Sequence, residues 1–175
     1  IEKFIENEIV ILLPKELEKE KLDEQGKQIP VGMSLADLVI TKDDSIYIIE
    51  IKDFSCSTAP ESNKEKDIRS LQNDTLLSDR LTPKARDSYT FLHLMNRVDR
   101  KIIYIVLLGL DDIEQLNNEV FLGTYKQRLL KNIRKEAEEP WKLEHITDCI
   151  VCSLDTWNAH FPKWPAYREP QKEAQ

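Results

Sequence analysis

The stretch that decides the fold is LADLVITKDDSIYIIEIKD, residues 35–53. It contains two apolar runs rich in β-branched residues, 35–41 and 46–53, and the residues between them are polar. Short runs of this composition bounded by polar turn residues are typical of β-strands. The pattern therefore predicts a hairpin whose turn is centred between Asp43 and Asp44.

The register of this hairpin brings charged residues together. An even loop places Thr41 opposite Ile46 and, further from the turn, Asp37 opposite Glu50. Directly opposed residues have Cβ atoms about 4.5–5.5 Å apart, close enough for two carboxylates to share a small cation. Because strand side chains alternate between faces, Lys52 lies on the same face as Glu50. We expect a charged cluster on a hairpin that is otherwise apolar.

Such a cluster needs compensation, because a buried charge costs several kcal/mol unless it is paired, hydrogen-bonded or bound to a metal. Two carboxylates and one lysine leave a net negative charge. Hard oxygen ligands in this arrangement suit Mg²⁺ or Mn²⁺, which keep several waters and need few protein carboxylates. A protonated lysine does not ligate the ion, but it can orient a water or stabilise charge on a phosphate.

A further acid comes from the start of the chain. Ile1, Phe4, Ile5 and Leu12 recur at helical spacing, which predicts a helix over residues 1–13 that ends before a proline. Glu8 falls near the centre of the apolar stripe, so we expect its carboxylate to point inward, either as a ligand of a second metal ion or as a support for the ligands of the first.

The remaining elements follow from hydrophobic periodicity and from turn residues. The pattern predicts four helical segments: a solvated extension over 15–28, intermittent helix over 64–81, a helix from Thr82 and Pro83 to about Val98, and a helix over 119–138. It predicts two further strands, over 101–108 and 146–154. The last part, 155–175, is expected to be an aromatic, proline-rich tail. A strand, helix, strand order implies that part of the sheet is parallel.

Composition excludes several classes of protein. Apolar residues make up 41% of the 175 residues, enough for a core, and the longest apolar run, 102–110, is far shorter than the roughly 20 residues of a membrane span. The four glycines form no phosphate-binding loop of the P-loop or Rossmann type. Three cysteines without an export signal fit a reduced, cytoplasmic environment. The net charge of −7 argues against a basic surface overall but not against a basic cleft.

Asp37 followed by Glu50-Ile51-Lys52 on paired strands resembles the PD-(D/E)XK nuclease superfamily. The order helix, hairpin, helix, strand over roughly residues 1–108 is similar to the core of that family. The resemblance implies Asp37 and Glu50 as metal ligands, the main-chain carbonyl of Ile51 as a further ligand, Lys52 as the catalytic lysine and Glu8 as the acid of the first helix. Alanine rather than proline precedes Asp37, and the helix-borne Gln and Tyr of some subfamilies have no assigned counterpart.

The resemblance also implies a fold and a function. We expect a three-layer, restriction-endonuclease-like α/β core with a mixed central sheet flanked by helices, forming one domain over residues 1–167 with a polar tail over 168–175. We expect a nuclease that uses Mg²⁺ or Mn²⁺ to hydrolyse phosphodiester bonds of nucleic acid, with DNA as substrate. The alternative is an inactive module of the same fold that binds nucleic acid or a protein partner. The chain begins without methionine, so we expect it to be a module of a larger protein. A homodimer is the other assembly that we expect.

Other residues leave two interpretations open. Cys149 and Cys152 form a C-x-x-C, but residues three apart on a strand face opposite sides, which favours packed thiols over zinc binding with His145 or Cys56.

Basic residues on the helices after the hairpin fit either a phosphate-contacting face or a solvated surface. Of these, Lys84 and Arg86 begin the helix nearest the hairpin and are the predicted nucleic-acid contacts. The aromatic residues of the tail either stack on bases or seal a core edge; these residues are Trp157, Phe161, Trp164 and Tyr167.

Overall fold

The predicted hairpin lies at the centre of a five-stranded sheet. A computed structural model describes residues 1–24, 29–134 and 138–171. Its elements are β1 (Glu2–Glu6), β2 (Ile9–Leu13), β3 (Glu18–Lys21), β4 (Leu38–Lys42), β5 (Ser45–Asp53), α1 (Glu61–Gln72), a π-helical turn (Leu77–Leu81), α2 (Thr82–Leu94), β6 (Lys101–Gly109), α3 (Glu119–Ile133), β7 (Asp148–Cys152), α4 (Leu154–His160) and β8 (Ala166–Arg168).

The central sheet is mixed, with the strand order β3-β4-β5-β6-β7. β3, β4 and β5 form an antiparallel meander, and β6 and β7 continue the sheet parallel to β5. The predicted crossover from β5 through helix to β6, and the strand over 101–108, are therefore confirmed. β6 is buried on both faces, which explains its continuous apolar sequence.

Two cores lie on the two faces of the sheet and give a three-layer α/β architecture. The first core packs under α1, α2 and α3 and includes Ile48, Tyr104 and Tyr125. The second core packs under a small sheet of order β1-β2-β8 and under α4, and it includes Ile49 and Trp157. The second face is thus covered by a sheet together with one short helix, where the sequence predicted helices alone.

The predicted first helix is wrong, because residues 1–13 form the β1–β2 hairpin. Glu6 pairs with Ile9 across a turn formed by Asn7 and Glu8. Asn7 adopts a positive φ of 53°, which asparagine tolerates well. The run Ile9–Leu13 has the five consecutive apolar residues of a strand that is covered by neighbours, and four of its five residues are buried. Tertiary burial of β2 decides the structure, although the apolar spacing also fits a helix.

The later helices and strands are close to their predicted positions. α3 carries Tyr125, Leu129 and Ile133 into the first core, as predicted. Of the predicted extension over 15–28, Glu18–Lys21 forms β3, and residues 25–28 lie outside the described part of the chain. The tail forms α4 and β8, and its Trp157 and Trp164 are buried in the second core. Arg168, the first residue of the predicted polar tail, belongs to β8.

Among the residues that the structure describes, no helix combines the length and the apolar character needed to cross a lipid bilayer.

Candidate functional site

The register of the β4–β5 hairpin is the predicted one. Leu38 pairs with Ile49 and Thr41 with Ile46, which brings Asp37, directly before β4, beside Glu50. The neighbouring residues Val39 and Ile48 belong to the core under the helices. Because side chains alternate along each strand, Asp37, Glu50 and Lys52 point to this helical side of the sheet. We call Asp37, Glu50, Lys52 and the groups that contact them the hairpin site.

Asp37 is held against the backbone of β5. Its side chain is buried, and Oδ2 accepts a hydrogen bond of 2.7 Å from the main-chain N–H of Ile51. Its own N–H donates to the carbonyl of Ile49. In a strand, the N–H and C=O of one residue point to the same edge. The carbonyl of Ile51 therefore points toward the place where β4 has ended, beside the Asp37 carboxylate.

Glu50 is the most buried acid of the hairpin site, with 0% of its surface exposed. Its Oε1 accepts from Lys84 Nζ at 2.7 Å and lies 3.2 Å from Lys52 Nζ. Its Oε2 is buried and has no hydrogen-bond partner among the described residues. A buried carboxylate oxygen without a partner is costly, so this atom is an open ligand position.

Two further acids lie near Asp37, one contributed by each sheet. Carboxylate oxygens of Glu6, Asp23 and Asp37 lie within 4.8 Å of one another. Glu6 ends β1, and Asp23 follows β3 by two residues. Asp23 Oδ1 is buried and lacks a hydrogen-bond partner within the described ranges. These carboxylates give the hairpin site more oxygen ligands than the sequence predicted.

The pKa values show how crowded the negative charges are. Burial and the charge of Glu50 raise the pKa of Asp37 to about 8. Burial and the nearby Asp23 also raise the pKa of Glu6. Burial disfavours the charged form of Lys84, but the attraction and the hydrogen bond of Glu50 outweigh it and raise the pKa of this lysine. The site therefore favours any added positive charge.

Glu8 does not take part in this arrangement. It lies in the β1–β2 turn, and its carboxylate accepts from the N–H of Ser57 at 3.0 Å, from the Ser57 hydroxyl and from Arg168 at 3.1 Å. The prediction that a first helix aims Glu8 at the hairpin acids is wrong, because that helix is absent. Glu6, to which the sequence analysis gave no role, is the acid of this hairpin that lies near Asp37. Reading residues 2–13 as two strands would have identified it.

Arg168 organises a separate group of charges at the end of β5. Its guanidinium bonds both oxygens of Asp53 at 2.8 Å, as well as Asp111 and Glu8. A side chain at Gly109 would collide with the Asp53 carboxylate, so glycine is needed for this close approach. We call these residues the Arg168 cluster. Oxygens of Glu8 and Asp53 also lie near the thiol of Cys56. Arg168 already bonds both oxygens of Asp53, and Ser57 and Arg168 together bond both oxygens of Glu8, so these contacts form an ion-pair network without an added ion.

The two predicted nucleic-acid contacts lie on different sides of α2. Lys84 reaches the hairpin site through its bond to Glu50. Arg86 lines a cavity on the outer surface of the helical layer, together with residues of α3 such as Arg128. The structure thus brings Lys84, but not Arg86, to the hairpin acids.

The C-x-x-C sequence has the arrangement that packed thiols require. Cys149 belongs to the first core and Cys152 to the second, so the two sulfurs lie on opposite faces of the sheet, as predicted. Burial raises the pKa of both thiols, that of Cys149 to about 12. No possible metal-ligand group within the described ranges contains either residue or His145.

The raised pKa of Asp37 predicts a dependence of stability on pH in metal-free protein. The folded state holds the Asp37 proton up to about pH 8, whereas the unfolded state releases it near pH 4. Folding is therefore favoured by this group at low pH, and the contribution is lost as pH rises toward 8, with a slope of at most about 1.4 kcal/mol per pH unit. We expect Asp37→Asn, which keeps the acceptor for Ile51, to flatten this slope in thermal melts with EDTA.

Asp43→Asn in the exposed hairpin turn is the matched control, since it removes the same charge where asparagine suits the positive φ of 53°. The melting temperature of this control should equal that of the parent protein at every pH. Equal slopes for the parent and Asp37→Asn would contradict the raised pKa.

Comparison of the chain with family models, with curated proteins and with solved structures finds no match. Function is therefore inferred from the side chains of the hairpin site. These provide buried carboxylate oxygens with open positions, a neighbouring main-chain carbonyl and two ammonium groups.

Proposed function

We propose that the chain is a divalent-metal-dependent nuclease that hydrolyses phosphodiester bonds, with DNA as its substrate. One observation carries this proposal. Asp37, Glu50 and Lys52 converge on one face of the β4–β5 hairpin, and the fully buried Glu50 leaves one oxygen without a partner. Acidic ligands for a metal ion beside an amine are suited to hydrolysis of a phosphodiester, because both stabilise the negative charge that develops on the phosphate.

The residues present fit Mg²⁺ or Mn²⁺. The open Oε2 of Glu50, the Asp37 carboxylate and the Ile51 carbonyl are hard oxygen donors, the kind these ions prefer. Glu6 and Asp23 lie beside Asp37 and offer additional oxygens. When bound, such an ion would supply positive charge against the phosphate oxygens and lower the pKa of water. It would also relieve the repulsion between carboxylates that raises the pKa of Asp37.

Lys52 is suited to act on the attacking water. Its side chain is 31% exposed, so the ammonium remains accessible to substrate while it lies 3.2 Å from Glu50 Oε1. This contact holds Nζ beside the acids, where the amine can orient a water or stabilise charge on the phosphate. Lys84 is more buried, with 15% of its side chain exposed, and its shorter bond to Glu50 fixes that carboxylate.

The surroundings of the site support the resemblance to PD-(D/E)XK nucleases. The predicted order of hairpin, helix and parallel strand is present as β4, β5, α2 and β6. The first helix of the resemblance is replaced by the β1–β2 hairpin, and Glu6 of this hairpin supplies the acid in place of Glu8. The proposed ligand set therefore becomes Asp37, Glu50 and the Ile51 carbonyl, with Glu6 and Asp23 beside them.

The alternative is a binding module that retains the fold without catalysis. One observation favours it: a single oxygen of Glu50 already contacts the ammonium groups of both Lys52 and Lys84. In such a module these ion pairs compensate the buried acid and no metal is needed. The two functions differ in whether divalent ions bind at all.

The deciding experiment measures metal binding and cleavage on the same preparation. Plasmid, linear duplex and single-stranded DNA, with matched RNA, are incubated with the protein in Mg²⁺, in Mn²⁺ and in EDTA. We expect cleavage of DNA in either ion and none in EDTA, together with Mn²⁺ binding by calorimetry that Glu50→Gln abolishes. Nucleic-acid binding without cleavage in either ion, and without Mn²⁺ binding, would establish the alternative.

A further inference from the structure

The outer surface of the helical layer contains a cavity with a volume of about 1080 Å³. It is bounded by the end of α1, the π-helical turn, the start of α2 and the second half of α3. Ligand pockets usually measure about 300–1,000 Å³, so this one is large enough for more than one nucleotide unit. We call it the outer groove. The π-helical turn at its rim is a rare element that is often found at functional sites.

Basic side chains from two helices line the outer groove. Arg86 comes from α2, and Arg128 and Lys131 come from α3, within a chain whose net charge is −7. Arg128 pairs with Asp74 at 2.9 Å, but both side chains are about two-fifths exposed, and such surface pairs are weak. Arg86 forms no ion pair with any residue that the structure describes. Cations with accessible planar donors are suited to phosphate groups.

An aromatic residue lies in the same groove. Trp141 lines it and is 42% exposed, whereas Trp157 and Trp164 are buried. Its ring lies 4.8 Å from the ring of His145, and the two ring planes are inclined at 57°. Aromatic side chains beside a basic groove are the usual platform for unpaired bases, and each stacked base contributes about 1–3 kcal/mol. A base inside a duplex has no free face to offer, so the platform selects single strands.

The outer groove and the hairpin site lie on opposite sides of α2. Lys84 and Arg86 are two residues apart, which is about 3 Å along the axis of a helix and roughly half a turn around it. The hairpin site and the outer groove therefore flank the first turns of the same helix.

We propose that the outer groove binds single-stranded nucleic acid, with Arg86, Arg128 and Lys131 contacting phosphates and Trp141 stacking on a base. This inference deepens the proposed function and rests on it for the identity of the ligand. The groove holds the strand that continues from the cleavage point. The substrate class that follows is nucleic acid with an unpaired segment beside the scissile phosphate.

The test uses a fluorescein-labelled oligothymidylate of about 15 nucleotides in EDTA, so that binding is measured without cleavage. We expect anisotropy to show binding to the parent, with an affinity that falls as salt rises. Trp141→Ala should weaken binding about tenfold. Arg86→Ala/Arg128→Ala should weaken it at least tenfold and reduce the slope of log K against log salt by about 1.4, the value for two lost phosphate contacts.

Tryptophan fluorescence gives an independent readout. Unlabelled oligothymidylate should quench the parent protein, and Trp141→Phe should lose this quenching because the two remaining tryptophans are buried. Arg100→Ala is the matched control, since it removes an arginine next to the hairpin turn, where the side chain bonds the Asp43 carbonyl. This control should bind as the parent does.

Three results would each overturn the inference: no binding of the oligonucleotide, binding that the groove variants leave unchanged, or preference for a duplex of the same length. Failure of the proposed function has a different signature. In that case the groove variants weaken binding as expected, but the parent does not cleave in Mg²⁺ or Mn²⁺.

Discussion

We expect replacement of Lys52 by alanine to lower the rate of DNA cleavage by on the order of 10²–10³, the cost of losing one donor that stabilises charge in the transition state. The physical reason is the position of Lys52 Nζ, 3.2 Å from Glu50 Oε1 on a side chain that is 31% exposed, where the amine would act on the reacting groups in the proposed function. Glu50→Gln should lower the cleavage rate at least as much, because it removes the charge of the open ligand atom while preserving the shape of the side chain. Single-turnover cleavage in Mn²⁺ measures both.

Lys101→Ala is the matched control for this experiment. It removes a lysine from the first position of β6, where the ammonium pairs with Asp44 near the hairpin turn. We expect its cleavage rate to equal that of the parent, and thermal melts should show that all three variants fold. A Lys52→Ala variant that cleaves at the parental rate would show that this amine has no part in the chemistry.

Arg168→Ala should lower the free energy of unfolding by about 3–5 kcal/mol, the cost of removing one partner from a buried ion pair. Glu8 and Asp53 have no exposed side-chain surface, and Arg168 is the cation that contacts both. Its loss leaves two buried carboxylates without positive charge. Equilibrium unfolding in urea, monitored by circular dichroism, measures the change.

A second substitution separates charge from packing. Asp53→Asn introduced into Arg168→Ala removes one of the uncompensated charges, so the double variant should recover part of the lost stability. Arg100→Ala serves as the control for arginine removal at an exposed position and should change stability by less than about 0.5 kcal/mol. If Arg168→Ala unfolds at the same urea concentration as the parent, the Arg168 cluster contributes nothing to the fold.

The core of the hairpin site could be predicted because local geometry determines it. A four-residue polar turn between two strands fixes the pairing of Leu38 with Ile49, and side-chain alternation then places Asp37, Glu50 and Lys52 on one face. The same local logic explains the opposite orientation of Cys149 and Cys152. The parallel pairing of β5 with β6 follows from the intervening helix.

The N-terminal part of the site could not be predicted in this way. Within 13 residues, the apolar positions of two strands coincide with those of a helix, and only burial of Ile9–Leu13 against the rest of the protein distinguishes the two. The helical interpretation placed Glu8 inward, and Glu8 is indeed buried, but its carboxylate is bound by Ser57 and Arg168 and the acid near Asp37 is Glu6. Asp23 follows a short strand whose pairing with β4 has no strong sequence signal.

The small sheet of β1, β2 and β8 has a consequence for biosynthesis. β8 pairs with β2 through contacts such as Ile9 with Arg168, which join residues almost 160 positions apart. During translation, β2 must therefore keep one edge unpaired until residues 166–168 have left the ribosome. Because this pairing closes so long a loop, completion of the small sheet is expected to be among the slower steps of folding.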